Sequence, residues 1–293
     1  MAQEGKGTDK RVLNAQQAHW ETTLSRGPDM FGKEASLPAR KAAALFKQEG
    51  KNKILELGGG QGRDTISFAQ NGFEVHVLDY ADSAVDAITQ KAESLGVERS
   101  VTALRHDVRN RLPFDDDYFD ACYSHMLFCM ALTTSELEFL SSEVRRVLKP
   151  GGLCVYTVRN TKDPHYRKGT HRSEDMYEVG GFIVHFFSEE KVRHLARGYD
   201  IVGIDEFEES ELPKKLFQVT LRKAIGSSSR NHDARQTTSS LGQNTGAIPK
   251  GEGNVLSKYG EFFSEVYQDG GAFDRKTKHL IALAASLAAA CEP

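Results

Sequence analysis

The 293-residue sequence has no excess of basic charge: 38 Lys and Arg stand against 41 Asp and Glu, a formal net charge of -3. With a pI near 6.4, it lacks the basic footprint that nucleic-acid binding favours. Cysteine is scarce. Cys122, Cys129, Cys154 and Cys291 are scattered through the chain, too sparse for a disulfide framework and in keeping with a reducing cytoplasm. Long apolar runs are missing too. The stretch LIALAASLAAAC (280–291) falls well short of the roughly 20 residues a membrane helix needs. The opening MAQEGKGTDKR has no apolar core of a secretory signal. No clustered His and Cys ligand set suggests a metal, and no internal repeat is visible.

Composition shifts at one place. Residues 226–254, GSSSRNHDARQTTSSLGQNTGAIPKGEGN, are rich in Gly, Ser, Thr, Asn and Gln. They bury too little to offset chain entropy and read as a flexible linker. The chain thus divides into a body (1–225), a linker (226–254) and a short helical tail (255–293). Within the body, strands and helices alternate. KILEL (53–57), EVHVLDY (74–80), VTALRHD (101–107), FDACYSHM (119–126) and LCVYTVR (153–159) are short apolar runs with helical patterns between them. YDIVGIDEFEE and KLFQVTLRK form a final pair, for which antiparallel pairing is open. That order predicts an α/β fold: a Rossmann-like, doubly wound, mostly parallel seven-stranded sheet with helices on both faces. A ligand in such a sheet sits outside the carboxyl ends of the strands.

At one such end the chain reads KILELGGGQGRD (53–64). Glycine reaches backbone angles that other residues avoid and lets a ligand lie against the main chain. A dinucleotide site wants G-x-G-x-x-G. Counted from Gly58, the third glycine position is Arg63. Without a GK[ST] ending the stretch is not a P-loop either. The pattern is an acid, Glu56, followed by Gly58, Gly60 and Gly62 at every second position. Taken alone, the glycines allow a simple tight turn, Asp79 a helix cap and Asp107 a loop cap.

ILELGGGQGRD resembles the first motif of class I S-adenosylmethionine-dependent methyltransferases, and the similarity continues along the body. VHVLDYADSAV resembles the second-strand motif, RHDVRNRLPFDDDYFDACYSH the stretch leading to the active site, and VRRVLKPGGLCVYTV the turn and strand that follow. HWETTLSRGPDMFGKEAS and GRDTISFAQNGFEV are similar to the small-molecule branch that includes tellurite- and thiol-type enzymes. The resemblance implies S-adenosyl-L-methionine as cofactor, held by Glu56, Gly58, Gly60, Gly62, Asp79, Tyr80, Asp107, Val108 and Ser124. Asp79 would accept from both ribose hydroxyls, while Asp107 and Val108 would flank the adenine. It implies methyl transfer to a small molecule: a thiol, selenol or metalloid. Competing readings are an NAD-type oxidoreductase and a non-catalytic scaffold of the same fold.

A substrate pocket is expected from three pieces: the N-terminal segment with Trp20 and Phe31, the exit of the fourth strand with His125 and Cys129, and the insert 163–187. The insert is rich in His, Tyr and Arg. His165, Tyr166 and His171 are candidates to contact or deprotonate the substrate, with surface polarity over a lid as the alternative for each. His185, in an apolar run, reads as a buried histidine. The tail segment GAFDRKTKHLIALAASLAAACEP resembles the alkylhydroperoxidase D and carboxymuconolactone decarboxylase family, in which Cys-x-x-Cys follows. The register at Cys291 predicts a product continuing through a selenocysteine codon, or a hairpin through which copies of the chain associate. No nucleic-acid or membrane partner is expected.

Overall fold

The computed structural model describes residues 10–27, 29–209 and 214–225. The linker 226–254, the tail 255–293 and Cys291 lie outside the described residues. Ten strands occur in chain order: β1 (Lys53–Leu57), β2 (Glu74–Asp79), β3 (Val101–Arg105), β4 (Phe119–His125), β5 (Leu148–Arg159), β6 (Thr170–Ser173), β7 (Met176–Val179), β8 (Phe182–His185), β9 (Tyr199–Glu209) and β10 (Lys214–Lys223). The helices are α1 (Lys10–Ser25), α2 (Leu37–Gln48), α3 (Arg63–Gln70), α4 (Asp82–Ser94), α5 (Thr134–Val147) and α6 (Glu189–Leu195).

Seven strands form one sheet in the order β3-β2-β1-β4-β5-β10-β9. Pairings from β3 through β5 are parallel, and β10 runs antiparallel to both β5 and β9. The strands with helices on both faces are apolar nearly throughout, as in β1, where Ile54, Leu55 and Leu57 are fully buried. One face packs Phe46 of α2 with Phe68 and Phe73 and with Tyr123 of β4. The other packs Leu137, Leu140 and Val144 of α5 with Val192 and Leu195 of α6. Helix starts follow their caps. Ser36 accepts from Ala39 N ahead of α2, and Thr133 with Glu136 closes a capping box on α5.

Three features add to the sequence expectation. Helix α5 stops at Val147 and β5 begins at Leu148. The Pro-Gly-Gly turn therefore lies inside the strand, because Pro150 cannot continue a helix and Gly151 takes φ 73°. The insert 163–187 is not a plain loop: β6, β7 and β8 form a separate antiparallel sheet. Its second hairpin turns at Gly180 and Gly181, both at positive φ, with Val179 opposite Phe182. Two consecutive positive-φ residues make the tight turn that strand twist favours. Finally, residues 10–25 are helical. Gln16 of α1 donates to Gly181 O and accepts from Ile183 N, and Gln17 donates to Tyr80 O. Helix α1 is thereby tied across the carboxyl ends of the strands. Among the described residues, no helix is long and apolar enough to cross a membrane.

Candidate functional site

The strand order reverses between β1 and β4, which opens a crevice above their carboxyl ends. A cavity of about 700 Å³ lies there, within the range of small-molecule sites. Its floor is the glycine bend after β1. Gly58 N donates to Leu78 O at 2.8 Å, which ties the bend to β2. At Gly59 a Cβ would stand 2.4 Å from Val77 Cγ2, so only glycine lets the chain pass that close to β2. Gly60 has φ 52° and nothing within 4 Å of where its Cβ would be. Its open side is cavity.

Three acids surround the bend. Asp79 ends β2, and its carboxylate bridges two backbone donors, Gly60 N and Ala81 N, each at 3.0 Å. Burial raises its pKa against the pull of those donors. Glu56 is fully enclosed, and its Oε2 has no hydrogen-bond partner. Burial, with the charge of Asp64 nearby, pushes its carboxyl up to about 8. Asp107 follows β3 and accepts from Arg109 Nε and Nη2, the latter at 2.6 Å. Burial opposes ionisation there, but those bonds outweigh it and hold the carboxyl below its usual range.

The rest of the lining has apolar Trp20, Phe182 and Phe186 and carries two polar clusters. In the first, His125 ends β4. Its Nδ1 lies 2.8 Å from Thr157 Oγ1 and its Nε2 lies 3.3 Å from Glu209 Oε1. Burial raises the pKa of Glu209, but the hydrogen bond from His125 and the charges of Lys214 and Arg63 leave it below normal. In the second, Arg159 ends β5 and is clamped by Asp163 through Nε at 2.9 Å and Nη2 at 2.5 Å. Nη2 also donates to His165 Nδ1 at 2.9 Å.

Of the residues singled out from the sequence, Trp20, Phe31, Glu56, Gly58, Gly60, Asp79, Tyr80, Asp107, Val108, His125 and His165 come together around this cavity. Five others do not line it. Gly62 is the left-handed N-cap of α3 and abuts Ile88. Ser124 is buried and donates to Leu57 O, tying β4 to β1. Cys129 is buried beneath the site, donates to Met126 O, and has its thiol pushed up to about 11 by burial. Tyr166 donates to Asp175, and His171 meets Glu174 O within the small sheet. His185 is fully buried against Leu132 O, as expected. Sequence reasoning missed Arg159, Glu209 and Lys214. The strand ends of β5, β9 and β10 were the available signal.

Residues 54–152 match the family model described as "Methyltransferase domain". The chain has the class I methyltransferase fold. A curated relative, the putative methyltransferase YqeM of Bacillus subtilis (strain 168), is 30% identical over 149 residues, covering 48% of this chain and 53% of the relative. The chain thus spans about half the length of that relative, and less of the phosphoethanolamine N-methyltransferase 1 of Triticum aestivum, of which 34% is covered. Among solved structures, the Burkholderia thailandensis 1,6-didemethyltoxoflavin-N1-methyltransferase, with its substrate and S-adenosylhomocysteine bound, aligns with TM-score 0.59 and 16% identity. That alignment covers 76% of this chain and 93% of that one.

Proposed function

We propose that the chain transfers a methyl group from S-adenosyl-L-methionine to a small molecule. The domain match and the solved structures that hold S-adenosylhomocysteine support this cofactor. The observation that carries the reading is the open face of Gly60 beside Asp79, with the unpartnered oxygen of Glu56 close by. These features fit the cofactor. A backbone without Cβ admits a nucleoside, Asp79 retains lone pairs for ribose hydroxyls, and a buried acid with an unpartnered oxygen suits a cationic amino acid group. Asp107 and Val108 would flank the adenine. When bound, the cofactor supplies an activated methyl: the acceptor's lone pair forms the new bond to carbon while the carbon–sulfur pair returns to the sulfonium as a neutral thioether.

The protein's own residues orient and dry the acceptor. Trp20, Phe31, Phe182 and Phe186 give the acceptor end an apolar wall that excludes water, and positioning of this kind contributes several kcal/mol to such a step. We read the acceptor as a thiol, selenol or metalloid, supported by the resemblance of 19–36 to the tellurite- and thiol-type branch. The tail 255–293 is read as a segment through which copies associate, which sedimentation velocity tests. Titration calorimetry with S-adenosylhomocysteine and with NAD tests the cofactor. Micromolar binding of the first and none of the second is expected, and the reverse would overturn the reading. A labelled-methyl screen of thiols, selenite, tellurite and arsenite identifies the acceptor.

A further inference from the structure

We infer that the acceptor enters the cavity already ionised and that His165, with Lys214, recognises its anionic form, neither His165 nor His125 serving as general base. The inference rests on the methyl-transfer reading and names its substrate class.

Hydrogen-bond direction decides it. A guanidinium only donates, so His165 Nδ1, 2.9 Å from Arg159 Nη2, must offer its lone pair. The ring hydrogen is then on Nε2, which makes no hydrogen bond among the described residues. That ring has a donor to give and no lone pair left for a substrate proton. His125 is occupied on both sides. Its Nδ1 is engaged by Thr157 Oγ1, which also accepts from Met126 N at 3.0 Å. Nε2 faces the Glu209 carboxylate, where a lone pair would be repelled, and therefore carries hydrogen.

The charged groups beside these two histidines are already paired. Glu209 is committed to His125, and Arg63 lies 3.9 Å from the same oxygen. Asp163 neutralises Arg159. The donors at this end without a hydrogen bond among the described residues are His165 Nε2–H and Lys214, which lines the cavity and whose charge also acts on Glu209. Tyr80, whose phenol burial pushes up, stays protonated. An acceptor with a detachable proton therefore leaves it in solvent before entering, and its anion is what the two donors meet.

Calorimetry of an aryl thiol that ionises above the working pH, bound to the S-adenosylhomocysteine complex and repeated in buffers of different ionisation enthalpy, counts that proton. Release of about one proton per site is expected, because the thiol ionises without a protein acceptor. His165→Ala should weaken thiol binding about tenfold with proton release unchanged, and His165→Gln, which keeps an N–H donor, should restore most of it. A bound thiolate absorbance band in the ultraviolet would agree. Zero proton release, equal binding by His165→Ala and the parent, or no thiol binding by a complex that holds S-adenosylhomocysteine would overturn the inference alone. Failure to bind S-adenosylhomocysteine would overturn the reading beneath it.

Discussion

The two ends of the cavity are built by different means. At the nucleoside end the ligand surface is main chain: Gly58 and Gly60 are placed by bonds to Leu78 O and Asp79, all within one strand–turn–helix–strand unit. At the acceptor end the surface is side chain, held by pairs from distant segments such as His125 with Glu209 and Arg159 with Asp163. A backbone-built surface can change only by breaking the fold, whereas a side-chain surface changes one residue at a time. Under the proposed function, the first end would fix the reaction class and the second the acceptor. Removing one part from each end sharpens or breaks that contrast.

The largest effect is expected at Asp163, at the acceptor end. Its carboxylate takes two bonds from Arg159, one from His165 N at 2.8 Å and one from Lys215 N at 3.0 Å, with its side chain wholly buried. Asp163→Ala leaves a buried guanidinium unpaired and should cost about 3–5 kcal/mol in urea denaturation. S-adenosylhomocysteine affinity should stay within about threefold, since the other end does not use this pair. A large loss of that affinity would show that the two ends are one unit.

Next is Glu56. Its carboxyl ionises near 4.5 ordinarily and about 8 in the fold, so the native state holds a proton that the unfolded chain has lost. Stability therefore falls as pH rises from about 5 to 8 and is level above that. Glu56→Gln lacks this loss. It should match the parent near pH 4 and exceed it by about 3 kcal/mol at pH 7 in denaturant titrations. Parallel curves for the two proteins would place the ionised form of Glu56 in the native state.

Asp79→Ala should follow. It strips the partner from Gly60 N and Ala81 N and removes the acceptor for the ribose. Calorimetry should read S-adenosylhomocysteine binding about thirtyfold weaker, some 2 kcal/mol. Unchanged affinity would remove the nucleoside from this end of the cavity.

The contrast also explains what could be read in the sequence. The mostly parallel seven-stranded sheet was legible because its signals are local, apolar runs at strand length, and so was the glycine bend, an acid with glycines at a fixed spacing. Glu209 was invisible as a site residue. It sits at the end of a strand whose other residues are surface-like, and only the antiparallel return of β10 brings it to His125. Tyr166 and His171 were credited for residue type, but the hairpins of the insert turn both toward its own acids and carbonyls. The Gly180-Gly181 pair was the legible sign of that hairpin. Ser124 shows the same limit from the other side. Its position in the strand is right for a site, yet its hydroxyl is taken by Leu57 O.

The smallest effects separate two neighbours within the glycine bend. Gly59→Ala puts a methyl 2.4 Å from Val77 Cγ2 and 3.0 Å from Ile88 Cδ1, overpacking worth about 2 kcal/mol of stability. Gly60→Ala meets no atom but must hold φ 52°, a left-handed strain of about 1 kcal/mol. Thermal melts should therefore rank Gly59→Ala the less stable. Ligand binding should rank them the other way, because the Gly60 methyl projects into the cavity while that of Gly59 faces the core. If both variants lost binding in proportion to stability, Gly60 would be shaping the turn alone, and the nucleoside would have to lie against another stretch of chain.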